Sequence, residues 1–418
     1  MDRPSSNMPR AIVLGGTFPH TRLLENLRKR GFHTVLVDYY ENPPAKVAAD
    51  EHIRESTLDQ EAVLEIARQR QAKLVISTCI DQANVTACYV AEKLCLPAPY
   101  SYETALTVTN KGLMKKMMVD HGIPTSRHLF VHEFADIDGA DLDFPLIVKP
   151  ADANSSKGVR KTSTRAELDE YLPDALRISR TGGAIVEEYK EGREIGADCF
   201  IRDGEATIVL TRERRKVVPV AGATQQIQGS YWPADLSEQN QAELKRIIEQ
   251  IGRVFGLDNT PLMIQTIFNG DDIHVIEFAP RIGGGENYRI IEKHTGFDLI
   301  DAAIDSFLGG RVELDVGAPD GYYGDIYVYV RPCRFGKFCG NEALVRDGVV
   351  EYVNVYKSPG VEIRAEMSSN NRVGAFLVKG ADKQELHRKI SIAIKAIDVC
   401  DMAGRSVMRK DIYTSSDT

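Results

Sequence analysis

The first hundred residues alternate short apolar runs with longer amphipathic segments, and this order restricts the fold more than any other feature of the sequence. The apolar runs are predicted strands, and they cover Ala11–Leu14, His33–Asp38 and Lys73–Ser77. The amphipathic segments are predicted helices: one carries Leu23, Leu24 and Leu27 on one face, one covers Glu61–Arg70 and one runs through Ala83–Leu94. Such an alternation predicts a parallel sheet covered by helices on both faces.

The pattern changes near Asn110. A helix over Lys111–His121 leads to Gly122-Ile123-Pro124, which ends the helix and continues as extended chain. Further predicted strands cover Pro145–Lys149, Gly158–Thr162, Ala184–Glu188, Asp325–Arg331, Val349–Lys357 and Arg372–Val378. Further predicted helices cover Arg165–Leu176, Ser237–Phe255 and Lys383–Ile397. The turn pairs Asp203-Gly204 and Asn269-Gly270 lie between β-rich runs and predict antiparallel hairpins. The fold class is therefore α/β at the N-terminus and α+β beyond it.

Composition limits the partners of the chain. Its 418 residues are too many for one ordinary core, so two or three domains are expected. The net charge of -8 argues against general binding of nucleic acid, which such a surface repels on average. A local basic cleft for a small anion is compatible with that charge.

The seven cysteines include no Cys-x-x-Cys pair, so neither structural zinc nor a disulfide framework is expected. No run of 18 apolar residues suggests a membrane span, and the polar N-terminus is followed by an apolar run too short for a signal peptide. We therefore expect a cytoplasmic protein with reduced thiols and no membrane partner.

Three groups of residues suggest handling of a nucleoside triphosphate. In the first, Lys149 ends an apolar strand and is followed by the small, donor-rich segment Ser155-Ser156-Lys157-Gly158. A lysine that faces such a loop can hold phosphate oxygens. The alternative is a surface lysine next to an ordinary loop.

In the second group, Glu187 and Glu194 lie seven residues apart around Gly192. An edge strand here can offer backbone groups to an adenine while a carboxylate accepts ribose hydroxyls. A solvated, charged hairpin explains the same stretch.

In the third group, Gln265 and Glu277 lie on the two predicted strands of one hairpin and can point to one face. Mg²⁺ prefers hard oxygen ligands and keeps few from the protein, so a carboxylate, an amide oxygen and phosphates suffice. Arg281 and Gly283-Gly284-Gly285 follow at once and would add a guanidinium and bare N–H groups. The alternative is an apolar hairpin with one stray glutamate.

In this order, the segments resemble the ATP-grasp superfamily, most closely the carbamoyl phosphate synthetase large-chain-like proteins and L-amino acid ligases. The resemblance covers nearly the whole chain. It implies a pre-ATP-grasp domain over residues 1–110, a small lobe over 111–190, a large lobe over 191–320 and a C-terminal closing subdomain over 321–418.

The resemblance also assigns expected roles. The expected ATP contacts are Lys111 and Lys149 at the phosphates, Ser155, Ser156, Lys157 and Gly158 in the phosphate-covering loop, Glu187, Glu188, Tyr189 and Lys190 at the adenine, and Glu194 at the ribose. Gln265 and Glu277 would bind Mg²⁺, with Mn²⁺ as a substitute. Arg281, Gly283 and Gly284 would hold an acyl phosphate.

The implied activity is an ATP-dependent ligase that joins a small carboxylate, an amino acid or a sugar acid, to an amine. Activation of bicarbonate, as in carbamoyl phosphate synthetase or biotin carboxylase, is the alternative. The family's metal strand usually reads Glu-x-Asn-x-Arg, whereas Ala279 stands at its middle position. That departure leaves open a non-catalytic nucleotide-binding regulator. Homodimers are common in the superfamily, and two copies of this chain are a further expectation.

The sequence says less about the substrates. Glu286, Arg289 and His294 follow the glycine run and can face the amine. The basic cluster Arg212, Arg214, Arg215 and Lys216 suits either a carboxylate or a solvated hairpin edge. Trp232 lies in a predicted loop, Ala221–Asp235, that either closes over a substrate or buries its tryptophan. Gly15-Gly16 and Asp38 partly match a dinucleotide-binding fingerprint, but Phe18-Pro19 replaces its remaining glycine, which leaves a nicotinamide dehydrogenase as a distant alternative.

Overall fold

A computed structural model describes residues 8–153, 157–217, 226–364 and 371–413. The N-terminal part contains β1 (Arg10–Leu14), α1 (Phe18–Lys29), β2 (His33–Val37), β3 (Glu51–Ile53), α2 (Gln60–Gln69), β4 (Leu74–Ile76) and α3 (Asp81–Leu94). Its strands are parallel in the order β3-β2-β1-β4, which confirms the predicted sheet. The sequence pattern had not indicated the short β3.

Two helices lead out of this part, α4 (Tyr102–Thr109) and α5 (Lys111–Asp120). The Asn110 side chain accepts hydrogen bonds from the N–H groups of Gly112 and Leu113 and so starts α5 at the predicted residue. Lys111 is consequently fixed in the first turn of this helix.

A small antiparallel sheet follows. Its elements are β5 (His128–Val131), β6 (Leu146–Pro150), β7 (Arg160–Thr162), α6 (Arg165–Ile178) and β8 (Ala184–Glu188). The strand order is β5-β8-β6-β7, so β8 is an inner strand and the expected edge strand at Glu187 is wrong. β5 and β6 take up the hydrogen bonds on both sides of β8, and only the residues after Glu188 leave the sheet.

The next section forms most of a large sheet. It contains β9 (Arg193–Arg202), β10 (Glu205–Lys216), β11 (Ile227–Trp232), α7 (Glu238–Phe255), β12 (Thr260–Asn269), β13 (Asp272–Ala279), α8 (Asn287–Thr295), α9 (Leu299–Phe307) and β14 (Tyr322–Tyr329). Residues 227–232, expected as part of a loop, are strand β11, and Trp232 is 1% exposed. Trp232 is therefore a buried packing residue, because its large apolar ring gains more from burial than a loop would allow.

The last section is β15 (Cys333–Cys339), α10 (Asn341–Arg346), β16 (Tyr352–Val355), β17 (Glu362–Ile363), β18 (Arg372–Gly380), α11 (Lys383–Ala396) and β19 (Asp398–Asp401). β14, β18 and β16 complete an eight-stranded sheet in the order β13-β12-β9-β10-β11-β14-β18-β16. β17, β15 and β19 form a separate three-stranded sheet. In the part of the chain that the structure describes, no helix is long and apolar enough to cross a membrane.

The N-terminal sheet and the large sheet share one core. Buried residues of both, such as Val37 on β2 and Phe200 on β9, belong to the same apolar cluster. The small sheet has its own cluster, which includes Val148, Leu172 and Val186. The molecule thus presents the small sheet opposite a larger, continuous body.

Candidate active site

A cleft, called here the first cleft, lies between the small sheet and the large sheet. Nine of the residues predicted to bind ATP or metal line it: Lys111, Lys149, Glu187, Glu188, Tyr189, Lys190, Glu194, Gln265 and Glu277. β6 and β8 supply the small-sheet wall, and β9, β12 and β13 supply the opposite wall. Segments far apart in the sequence are therefore brought to one place, as the predicted grouping requires.

Glu187 bridges two buried lysines at the back of this cleft. Its Oε1 is 2.6 Å from Lys149 Nζ, and its Oε2 is 2.7 Å from Lys115 Nζ. Lys115 also donates a hydrogen bond of 2.7 Å to the Thr125 hydroxyl. Burial opposes the ionisation of Glu187, but the two ammonium groups outweigh it and lower the pKa of Glu187 to about 2. The Glu187 carboxylate is thus paired with the two lysines. The groups of this segment that can contact an adenine are therefore backbone groups.

Sequence reasoning missed Lys115. The available signal was its spacing, because Lys115 comes one helical turn after Lys111 on α5 and side chains four residues apart share a helix face. Burial lowers the pKa of Lys115, although the charge of Glu187 acts against that effect.

The segment after β8 leaves the sheet beside the cleft. The Tyr189 N–H donates to the Pro145 carbonyl at 2.9 Å, and Lys161 lies 3.7 Å from the centre of the Tyr189 ring. The Glu188 carboxylate pairs with Arg127 and, at 3.0 Å, with Lys190. Side chains of this segment are therefore held by Arg127 and Lys161, which are not among the residues that line the cleft, and by each other.

Glu194 faces two cations on the other wall. Its carboxylate contacts Arg214, and its Oε2 is 3.1 Å from Lys216 Nζ. Arg214 also donates to the amide oxygen of Gln265 at 2.9 Å. Burial raises the pKa of Glu194, but these cations outweigh it and the net shift is downward. The predicted ribose carboxylate and the predicted metal ligand therefore share one arginine.

The basic cluster on β10 is divided among three environments. Arg212 is buried in an ion pair with Asp198, and Arg214 faces the first cleft. Arg215 pairs with Glu213 at 3.2 Å, and its side chain is 44% exposed. The cluster is therefore neither a solvated hairpin edge throughout nor a single binding patch.

Gln265 and Glu277 are directly opposed on β12 and β13. Lys111 Nζ lies 3.5 Å from Glu277 Oε2 and donates to the Ala153 carbonyl at 3.2 Å. Within the described ranges, no three His, Cys, Asp or Glu side chains are grouped so that they could hold a metal by themselves. One carboxylate and one amide oxygen beside a lysine nevertheless suit Mg²⁺, which takes its other ligands from phosphate and water. The donor set therefore fits a magnesium nucleotide.

A second cleft of about 420 Å³ adjoins the first and shares Lys111, Gln265 and Glu277 with it. Its volume lies in the range of small-molecule sites. Its other lining residues include Ser230, Ala279, Arg281, Gly284, Gly285, Tyr327 and Arg372. The predicted metal ligands thus stand between two adjoining clefts.

Arg281 is held in the second cleft by the N-terminal part. Its Nε and Nη2 lie 2.7 Å and 3.0 Å from the two carboxylate oxygens of Asp81 at the start of α3. This two-point contact fixes the plane of the guanidinium. Sequence reasoning named Arg281 but missed Asp81 and the cleft residues Tyr327 and Arg372, since nothing local connects these positions.

The glycines after Arg281 allow a close approach of the backbone. A Cβ at Gly283 would lie 2.3 Å from Asn287 Nδ2 and 2.8 Å from Asp198 Oδ1, so a side chain at this position would clash. Gly284 lines the second cleft with open space around it. Gly284 is therefore placed where a bare N–H group can approach a ligand, whereas Gly283 is not among the residues that line either cleft.

The predicted phosphate-covering loop is described only in part. Ser155 and Ser156 lie outside the described residues. Lys157 is exposed, and Gly158 adopts a φ of +73° against Pro150. Neither Lys157 nor Gly158 lines the first cleft, whereas the next residue, Val159, does.

The remaining residues that were predicted to contact a substrate or cofactor lie in different parts of the structure. Glu286 is buried and its Oε2 is 3.3 Å from both Arg289 Nη1 and the Tyr352 hydroxyl. His294 packs at 4.7 Å against the Tyr323 ring and lines neither cleft. The Asp38 carboxylate accepts hydrogen bonds from the N–H groups of Gly16 and Tyr40, at 2.7 Å and 2.9 Å. Asp38 therefore braces a turn of the N-terminal sheet.

Comparison with known proteins points to one family. The sequence profile of the ATP-grasp domain matches residues 142–288. The L-arginine-specific L-amino acid ligase of Bacillus subtilis is 29% identical over 301 residues, which cover 68% of each protein. The formate-dependent phosphoribosylglycinamide formyltransferase of Burkholderia pseudomallei (strain 668) is 25% identical over 94% of this chain and 96% of the relative. The crystal structure of L-amino acid ligase from Bacillus licheniformis matches 96% of this chain and 100% of its own, with a TM-score of 0.79 and 18% identity.

Proposed function

Because this chain belongs to the ATP-grasp superfamily, we propose that it is an ATP-dependent ligase that joins a carboxylate to an amine. A substrate carboxylate oxygen takes the γ-phosphoryl group of ATP, and ADP leaves. The amine nitrogen then attacks the carbonyl carbon of the acyl phosphate, loses a proton and displaces inorganic phosphate. The product contains a new amide bond.

The observation that carries this proposal is the position of Gln265 and Glu277 between the two clefts. A nucleotide in the first cleft would direct its terminal phosphate towards a carboxylate in the second. Lys111 reaches both clefts, and Lys149 lines the first. In phosphoryl transfer, such fixed cations contribute by stabilising charge and by aligning the reacting groups.

Mg²⁺ bound to Gln265, Glu277 and phosphate would neutralise charge that develops during the transfer. Arg281 and the N–H groups of Gly283 and Gly284 would hold the acyl phosphate. Glu188, Tyr189 and Lys190 would position the base, with Glu194 at the ribose. The predicted loop of Ser155, Ser156, Lys157 and Gly158 would cover the phosphates. These assignments are part of the proposal.

The two named L-amino acid ligase relatives support an amino acid as the carboxylate substrate. The second candidate function is activation of bicarbonate. The third is a non-catalytic regulator, and the sequence of the predicted metal-binding strand, β13, bears on that candidate. Ala279 lies two residues after Glu277 and lines the second cleft, so it adds no metal ligand there. Association into a homodimer in the cytoplasm remains part of the proposal.

The test is phosphate release from Mg-ATP by the purified protein with amino acids and other carboxylates, added singly and in pairs with amines. Release that requires both a carboxylate and an amine, with ADP as product, would support the ligase. Release with bicarbonate alone would favour the second candidate. ATP binding without release under any condition would favour the regulator.

Lys149→Ala provides the matched variant for this assay. We expect turnover to fall by a factor of about 10²–10³, because a cation beside the phosphates is removed. Lys73→Ala, at an exposed position outside both clefts, is the control and should retain most of the activity. Equal activities of the two variants would contradict the role of Lys149.

A further inference from the structure

Asp325 is a buried carboxylate on β14, the strand that supplies Tyr327 to the lining of the second cleft. On β14, Asp325 is directly opposite Ser230 of β11 and two residues before Tyr327. Opposed residues of antiparallel strands share a face, and so do residues two apart on one strand. Since Ser230 and Tyr327 line the second cleft, the Asp325 side chain is directed towards it. Asp325 is 3% exposed, and its Oδ1 has no hydrogen-bond partner among the described residues.

A second carboxylate approaches from another element. Glu286 follows the cleft-lining Gly284 and Gly285 and is also buried. Burial raises the pKa of the Tyr352 and Tyr356 hydroxyls, and the charges of both Glu286 and Asp325 raise it further. The Tyr352 hydroxyl is 3.3 Å from Glu286 Oε2, and the charges of both carboxylates act on both phenol groups, so these groups from three segments lie in one neighbourhood. Carboxylates and aromatic rings together are the groups that recognise organic cations.

Cationic side chains of the protein pair with only part of this group of carboxylates and phenols. Arg289 contacts Glu286, and Arg372 lies 3.8 Å from the centre of the Tyr327 ring and donates to the Tyr329 hydroxyl at 3.1 Å. Burial and the charge of Glu286 raise the pKa of Asp325 to about 7, although Arg372 and Tyr327 act in the opposite direction. The Asp325 carboxylate would therefore gain from a further positive charge.

We propose that Asp325 and Glu286, with Tyr327, Tyr352 and Tyr356, form a subsite for a positively charged nitrogen of the amine substrate. This inference rests on the proposed ligase function and narrows its substrate. An attacking nitrogen must be neutral, whereas buried carboxylates stabilise the protonated form. Within the amine substrate, the nitrogen in the subsite is thus a second one beside the attacking nitrogen, as in an amino acid with a basic side chain or in a diamine.

The position of the subsite agrees with such a substrate. Gly284 and Gly285 connect Arg281, where the acyl phosphate is proposed to lie, with Glu286. An amine substrate that spans this segment would place one nitrogen near the acyl phosphate and the other between the carboxylates. The second cleft, at about 420 Å³, has room for a molecule of that size.

The probes are L-lysine and L-norleucine, which differ in the terminal ammonium group. Calorimetric titration of the full-length protein with Mg-ADP present should show that L-lysine binds about 10-fold more tightly, because a charge-assisted contact is added. Asp325→Asn should weaken L-lysine about 10-fold and leave L-norleucine unchanged. Asp320→Asn is the control, since Asp320 lies near the start of the same strand but is exposed and paired with Lys379.

The pH dependence gives a second readout. The groups that face Asp325 are Glu286, Arg372, Tyr327, Tyr352 and Tyr356. A protonated Asp325 carboxyl cannot pair with a cation, so the affinity for L-lysine should fall as the pH falls from 8 to 6, through the pKa of Asp325 at about 7. In Asp325→Asn this dependence should be lost.

Equal affinities for the two probes, or no binding of either by folded protein, would overturn the subsite. If Asp325→Asn does not fold, Glu286→Gln replaces it and should reduce the preference for L-lysine. Phosphate release distinguishes this outcome from failure of the proposed function. Binding selective for L-lysine, without phosphate release by any substrate pair, would refute the ligase alone. Phosphate release only with amines that lack a second cationic nitrogen would refute the subsite alone.

Discussion

Glu187 meets two lysine side chains that are almost entirely buried, Lys115 at 1% and Lys149 at 7% exposure. A buried ammonium group is costly unless it is paired. One carboxylate between two lysines leaves one net positive charge at the back of the first cleft. This excess favours an anionic ligand, so the same three residues stabilise the fold and prepare the cleft for phosphate.

We expect Glu187→Gln to lower the free energy of unfolding by about 3–5 kcal/mol, because two buried cations lose their partner. Urea denaturation, followed by circular dichroism, measures the change. Glu191→Gln is the control, since Glu191 lies four residues further on and is exposed. A loss below 1 kcal/mol, or an equal loss in the control, would show that the bridge contributes little.

The same carboxylate predicts how stability depends on pH. The pKa of Glu187 is lowered from 4.5 to about 2 in the folded protein. Its contribution is therefore complete above pH 4.5 and is lost as the pH falls from 4.5 towards 2, because the unfolded chain binds the proton first. Urea midpoints measured from pH 6 down to pH 3 should fall less steeply in Glu187→Gln than in the wild type. Parallel curves would contradict this assignment.

At the scale of elements, the β12–β13 hairpin shows why sequence reasoning succeeded only in part. Its turn and both candidate metal ligands were predicted from Asn269-Gly270 and the alternation around it. An uninterrupted register from that turn would place Gln265 opposite Ile276, with Glu277 on the other face. A bulge between Gln265 and Thr266 shifts the register and pairs Gln265 with Glu277. The sequence around this position contains no residue that predicts the bulge.

Pairings between distant segments were equally invisible. β8 became an inner strand because β5 and β6, which come earlier in the chain, add to its two sides. The parallel N-terminal sheet was predictable because its strand–helix order is local. The Lys115–Glu187 and Asp81–Arg281 contacts join segments of different elements, and such contacts follow from the three-dimensional packing alone.

The Asp81–Arg281 contact joins helix α3 to the segment after β13, and we expect it to position Arg281 for catalysis. Asp81→Asn keeps the shape but removes the charge. It should lower kcat by a factor on the order of 10², because a small misplacement of a catalytic group has that effect, with ATP affinity unchanged. Steady-state kinetics and nucleotide titration measure both. Glu92→Gln, at an exposed position of the same helix, should behave as wild type. Reduced ATP affinity at unchanged kcat would contradict the assignment.

At the scale of the whole molecule, the N-terminal sheet is bound to the large sheet by more than its core. Arg22 pairs with Glu292 and Asp298, and Arg30 pairs with Asp301 and Asp305, all at 2.5–3.0 Å. These contacts connect α1 with α8, α9 and the turn between them. We retain the division at residues 110, 190 and 320 as a proposal, with the first and third parts acting as one mechanical body.

The small sheet packs around an apolar cluster of its own. The buried members of this cluster lie within residues 131–186, whereas the other side of the first cleft belongs to the large body. A nucleotide held by Lys149 on β6 and by Glu277 on β13 would connect the two sides. A nucleotide bound in this way would slow amide hydrogen exchange in the strands that it contacts, since local opening of these strands then requires release of the ligand.

We therefore expect Mg-ADP to slow exchange in β6 and β8 and to leave α11 unchanged. Hydrogen–deuterium exchange with mass spectrometry measures both regions in one experiment, with α11 as the internal reference. Lys149→Ala should need more nucleotide for the same protection, because it has lost a phosphate contact. Protection confined to the N-terminal sheet would place the nucleotide at the strand ends near Gly16 and Asp38 and would revive the dinucleotide interpretation. Protection in the small sheet places it between the two sheets, where the lysines, Glu277 and Gln265 already converge.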